Sequence, residues 1–191
     1  MASMRQQQGL TLIELLVVGS LAMLMSGVLL EFSMRHMDFL NTTAMQSDLR
    51  SQTHLAMEAM LKELHHGTRA AAGSPPNVTI PAAPGNTLMT FYLPADVDGN
   101  GMIIDAAGNI EWVAANPVQY VYDAPSQQLR RTDAAGTRVL ANGVTAATFE
   151  DRTITPTLPA DEVRIRLTLQ DTTPRGRTLS ASDNAIVKLR N

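Results

Sequence analysis

The chain has 191 residues, a net charge of −3, no cysteine and only 4 % aromatic residues. That length holds one domain plus an extended element. The lack of cysteine excludes a disulfide framework, a thiolate nucleophile, Cys-ligated zinc or iron–sulfur and a lipid-modified cysteine anchor. With 15 basic residues against 18 acidic ones, the chain shows no clustered basic footprint for nucleic acid.

Residues 1–8 are a short polar leader carrying one basic residue, Arg5. Leu10 to Leu30 then forms an almost wholly apolar run of 21 residues, broken by one charge, Glu14. As a helix it would span about 31 Å, close to the hydrocarbon thickness of a bilayer. An ordinary secretory signal has a shorter apolar core with its small-residue cleavage site after it. Here the run is longer and the small residue, Gly9, comes first. Arg5 and the free amino terminus favour an inside N-terminus. A carboxylate at the centre of a membrane helix costs about 2.5–3.5 kcal/mol, and less near its end. Glu14 therefore needs either a partner or a proton. Gly19 and Gly27, with Ser20 and Ser26 beside them, are small residues that let helices approach closely.

Gly9-Leu10-Thr11-Leu12-Ile13-Glu14 closely resembles the class III signal of type IV pilins and type II secretion pseudopilins, with Leu10 where phenylalanine is more usual. The resemblance implies cleavage by a prepilin peptidase between Gly9 and Leu10 on the cytoplasmic face, and methylation of the new amine at Leu10. It also implies pairing of Glu14 with the N-terminal amine of a neighbouring subunit, which would set the register of assembly. Other pilin or pseudopilin subunits and an inner-membrane assembly platform are the implied partners. The implied location is the bacterial inner membrane, with the C-terminal domain periplasmic, and then a pilus or pseudopilus. A plain signal anchor that happens to hold a carboxylate is the alternative.

Pro and Gly are absent from Val28 through His66, and the segment is rich in Met, Leu, Ala, Glu, Gln and Lys. Met45, Leu49, Ala56, Met60 and Leu64 recur at helical spacing, while Asp48, Arg50, Glu58, Lys62 and Glu63 fall mostly off that line. The pattern predicts one amphipathic helix from about Thr11 to His66, supported by a Glu58–Lys62 ion pair and capped by Gly67. His36, His54, His65 and His66 read as ordinary helix-surface residues.

Ala70 to Gly85 reads as loop, with Val78-Thr79-Ile80 as a short edge strand. Further strands are predicted over Thr87–Leu93, Ile110–Val113, Val118–Tyr122, Gln128–Thr132, Thr137–Leu140, Thr145–Phe149 and Glu162–Leu169. The last, Leu179–Leu189, is expected to break near Asp183-Asn184. Asp133 to Gly136 carries a hairpin signature. In Glu162–Leu169, Val163, Ile165, Leu167 and Leu169 should face inward, with Arg164, Arg166 and Thr168 outward. The expected fold class is α+β, a long N-terminal helix packed on an antiparallel β-sheet. The expected divisions are a leader at 1–9, a transmembrane half-helix at 10–30, a periplasmic half-helix at 31–67 and a β domain at 68–191. The hairpin-rich layout and the Ile-Val-Lys-Leu-Arg-Asn ending are similar to W-type minor pilins and J-type pseudopilins, structural proteins without catalytic activity.

Asp96-Val97-Asp98-Gly99-Asn100-Gly101-Met102-Ile103 has the oxygen-donor spacing of a calcium loop. Asp96, Asp98, Asn100 and the Met102 carbonyl would be donors. The twelfth place is Ala107 where such loops have glutamate, and Asp105 would partly compensate. The competing expectation is a tight Asp/Asn/Gly turn. Arg130, Arg131, Arg138, Arg175 and Arg177 could form a basic patch on a ligand-binding tip, for an adhesin or for DNA uptake. No serine elbow, Ser-His-Asp set or phosphate loop points to a membrane-anchored enzyme.

Overall fold

A computed structural model describes residues 11–66, 78–81, 85–108, 110–113 and 115–189. Helix α1 runs from Leu12 to His66, 55 residues without interruption. Gly9 and Leu10, the expected cleavage pair, and Gly67, the expected cap, lie outside the described residues, as does most of the 70–85 loop. The chain divides after Ala44 into two units.

In the first unit every described residue through Met37 is exposed. The segment is long and apolar enough to cross a membrane, with a mean hydropathy of 2.2 over its most apolar window. Two of its hydroxyls bond back to the helix: Ser20 Oγ donates to the Val17 carbonyl at 2.9 Å and Ser26 Oγ to that of Ala22 at 2.8 Å. Such back-bonding is how a membrane helix carries serine without an unpaired donor. An added Cβ at Gly19 or Gly27 meets no atom within 4 Å. The expected Glu58–Lys62 ion pair does not form; the helical i,i+4 pair that does is Glu31–Arg35, at 2.6 Å. Phe32 and His36 stack with ring centroids 6.2 Å apart.

Among the described residues of the second unit, eight strands form two antiparallel sheets rather than one. The first sheet orders β1 (Val78–Thr79), β2 (Leu88–Phe91), β3 (Val118–Asp123), β4 (Gln128–Asp133) and β5 (Gly136–Asn142) side by side. The second orders β6 (Val144–Glu150), β7 (Glu162–Thr172) and β8 (Thr178–Lys188). The Asp133–Gly136 hairpin closes β4 on β5 as its sequence predicts. In β7, Val163, Ile165, Leu167 and Leu169 are all buried, and the strand continues three polar residues further than expected. The predicted break in β8 is absent: Leu167 pairs with Asp183 and Arg166 with Asn184 in an unshifted ladder. The long partner strand overrides the weak β-propensity of Asp and Asn.

The sheets part at Gly143. Its φ of +67° is a left-handed conformation, and a Cβ there would lie 2.6 Å from the Gln170 carbonyl oxygen. The Gly143 carbonyl accepts the Gln170 N–H at 2.7 Å, which hands the chain from β5 to the second sheet. β6 is an edge strand of that sheet, and groups from the first sheet's turns satisfy it. Asn86 Nδ2 donates to the Phe149 carbonyl at 2.9 Å, and Phe149 N–H donates to the Asn86 carbonyl at 3.0 Å. Val144 N–H donates to the Gln127 carbonyl and Tyr122 Oη to the Thr145 carbonyl. Asn86 and Gln127 hold positive φ of 48° and 51° to do this. An edge bonded in this way offers no template for another strand.

The core joins α1 to both sheets. Leu49, Ala56, Met60 and Leu64 are buried on the face their spacing predicts, Met45 is half-buried, and Thr53 and Met57 complete the stripe. They pack with Met89, Phe91, Tyr120, Leu129, Phe149, Ile165, Leu167 and Leu169.

Candidate functional site

The first candidate is the start of α1. Thr11 and Glu14 stand three apart, and they form a reciprocal cap. Glu14 N–H donates to Thr11 Oγ1 at 3.3 Å, while Glu14 Oε2 accepts from Thr11 N–H at 2.9 Å and from Thr11 Oγ1 at 3.0 Å. This is the Thr-x-x-Glu capping box, which satisfies backbone donors that open a helix. The sequence carries its signal, a threonine followed three residues on by glutamate at the head of an apolar run. Attention to the charge alone passes over it. One carboxylate oxygen is thus committed to the helix. The other, Oε1, takes no hydrogen bond from the described residues.

The second candidate is the excursion between β2 and β3. The bridges Pro94↔Trp112 and Ile104↔Ile110 fold it on itself, with Ala95 N–H to the Glu111 carbonyl and Glu111 N–H to the Ile103 carbonyl, both at 2.9 Å. The strand expected at Ile110–Val113 is reduced to these bridges. Asp96 and Asp98 do come together, but the third carboxylate beside them is Glu111, with one oxygen of each within 4.8 Å of the others. Asp105 is not in that group; its Oδ1 accepts the Ala107 N–H at 2.8 Å. Pairing across the loop places Glu111, and the local spacing of the Asp residues carries no trace of it.

The same carboxylates also hold the loop's backbone. Asp96 Oδ1 accepts from Gly99 N–H at 2.7 Å and Asn100 N–H at 3.2 Å, and its Oδ2 from Gly101 N–H at 2.8 Å. Asp98 accepts both the N–H and the side-chain amide of Asn100. Glu111 Oε2 accepts from Val97 N–H at 2.7 Å. Asn100 Oδ1, expected as a calcium donor, instead accepts the Met102 N–H at 2.6 Å. Three clustered carboxylates match the hard oxygen donors a calcium ion takes. Their present bonds match an Asp/Asn turn.

The third cluster joins α1 to the first sheet. Glu63 sits seven residues after Ala56, on the packing face after all. Its Oε2 accepts from Tyr120 Oη at 2.6 Å and Arg131 Nε at 2.8 Å, and its Oε1 from Arg138 Nη2 at 3.1 Å. Arg131, only 8 % exposed, also bonds Asp133. Burial, then the bond to Glu63, pushes the Tyr120 hydroxyl far above its ordinary range. Burial opposes the charge of Arg131, but the bonds to Glu63 and Asp133 outweigh it and hold the guanidinium protonated. The Arg131 bond holds the Asp133 carboxyl below its usual value. Arg130 pairs with Asp123 at 3.0 Å. Arg130, Arg131 and Arg138, expected as part of a basic patch, are therefore engaged in internal ion pairs. His54 is not isolated either, lying 4.0 Å from Asp183 of β8.

No family model, no curated protein and no solved structure matches the chain.

Proposed function

We propose that the chain is a structural subunit of the minor pilin or pseudopilin kind. A prepilin peptidase removes residues 1–9, the Leu10–Leu30 segment is held in the inner membrane, and the subunit assembles through its N-terminal helix into a type IV pilus or a type II secretion pseudopilus. Its partners are neighbouring pilin-like subunits and the membrane assembly platform. The observation that carries this reading is the helix from Leu12, exposed along its apolar length to Leu30, with the one carboxylate of that stretch in the first turn. Such a surface requires cover by lipid or by other helices. Lipid covers it before assembly and packed helices afterwards, and Gly19 and Gly27 leave room for close approach.

Glu14 has two tasks in this reading. Oε2 closes the capping box, which fixes the rotamer. Oε1 is then presented to the ammonium that cleavage creates at Leu10 of the next subunit, a charge-assisted bond that gains strength in a low dielectric.

N-terminal sequencing of the membrane-extracted chain should begin at Leu10; a chain that keeps residues 1–9 overturns the processing step. Glu14→Ala should still insert in the membrane but fail to enter the fibre, and undiminished incorporation overturns the register role.

A further inference from the structure

We propose that the 95–112 loop is a docking surface for a neighbouring protein whose facing surface is apolar and flanked by Lys and Arg. None of the described residues from 95 to 112 is buried or packed against the core. Yet Val97, Met102, Ile103 and Ile104 are each 45–62 % exposed on it. They make up most of the large exposed apolar side chains of the second unit; the others, Leu55, Val139 and Ile186, stand singly on separate elements. Scattered exposed apolar residues are normal, whereas four within eight residues on one cross-bonded loop are a concentration of apolar surface that favours contact.

Charge selects the occupant. Residues 95–112 hold Asp96, Asp98, Asp105 and Glu111 and no basic residue, a charge of −4. The whole chain carries −3, so the other residues together carry −3 − (−4) = +1. The net negative charge of the protein is thus concentrated on a loop that also exposes four large apolar residues. A bacterial membrane surface is anionic and would repel it. One divalent cation among the carboxylates would still leave −2. A cationic rim around an apolar centre complements both properties, with the apolar contact giving affinity and the charges giving orientation and rate. The inference concerns this loop alone and holds whatever the N-terminal helix is built into.

The test uses the full chain in the membranes of its own host, with a photo-crosslinking amino acid at Met102 and, as background, at Val139 on β5. The expected result is an adduct from position 102, absent from 139, with another polypeptide, mapping to a segment of apolar residues bordered by Lys or Arg. Its yield should fall about threefold between about 0.05 M and about 0.5 M salt, as exposed charges are screened. The double variant Asp105→Asn, Glu111→Gln keeps the oxygen acceptors and halves the charge, and it should lose yield by a similar factor at low salt. An adduct with a second copy of the chain, an adduct with lipid, no adduct, or a yield indifferent to both salt and the variant would each overturn the proposal.

Discussion

At the scale of single residues, Glu63 is the side chain whose loss should be felt most widely. It receives hydrogen bonds from Tyr120, Arg131 and Arg138. Glu63→Ala leaves a buried hydroxyl and a nearly buried guanidinium short of an acceptor, so unfolding should become easier by about 2–4 kcal/mol, read from denaturant midpoints. The same cluster sets a pH profile. Tyr120 has a raised pKa, through burial first and Glu63 second, so its contribution is complete below the unfolded tyrosine value near 10 and is lost as pH rises above it. Asp133 has a lowered pKa, chiefly through Arg131, so its contribution is complete above about 3.9 and is lost as pH falls through the lowered folded value. Tyrosinate absorbance, compared with that of Tyr120→Phe, should show Tyr120 ionising above the ordinary tyrosine range; ionisation of Tyr120 near 10 would contradict the cluster. Glu63 was legible in the sequence only as a helix residue. Its place on the packing face follows from the seven-residue step after Ala56, and its partners come from β3, β4 and β5, which no local pattern announces.

Among the elements, the strands and the helix were nearly all legible, because period-two and helical spacing are local properties. The alternation in β7 and the Leu49–Leu64 stripe appear as their patterns predict. The division into two sheets was not legible, since it turns on Gly143 and its bond to Gln170, 27 residues further along the chain. Gly143→Ala combines a left-handed φ with a 2.6 Å approach to backbone, and it should cost about 2–4 kcal/mol, visible as a lowered Tm. Alanine at Gly136, where no atom lies within 4 Å, would bring backbone strain without that clash and should cost less. The calcium expectation belongs to this scale too, because Glu111 reaches Asp96 and Asp98 only through bridges across the loop. If a cation sits there, millimolar calcium should raise the Tm of the parent chain and not of Glu111→Ala. Equal Tm values with and without calcium would mean that these carboxylates serve the backbone alone.

For the molecule as a whole, sequence and structure divide the labour unevenly. The N-terminal motif is compact and positional, so a resemblance can be read from six residues. The β domain is assembled from long-range pairings, and its sequence fixes strands without fixing which sheet they join. Charge follows the same division. Arginines that look like a surface patch in the linear chain are consumed by Glu63, Asp123 and Asp133, while acids spread over sixteen positions gather on one loop. Among the described residues, the exposed apolar helix and the acidic apolar loop are two stretches that add nothing to the core.

Trp112 lies on that loop, half-exposed and bridged to Pro94, and it is the chain's single tryptophan. An emission spectrum of this protein is therefore a reporter of the excursion and almost silent about the packed interior. Unfolding followed by fluorescence should show a transition at milder denaturant than the loss of circular dichroism from helix and sheet, because local opening of a loop precedes global melting. Such non-coincident curves would pass for a folding intermediate by the usual two-state tests. Phe149→Trp, which moves a fluorophore into the core, should bring much of the emission change into line with the dichroism.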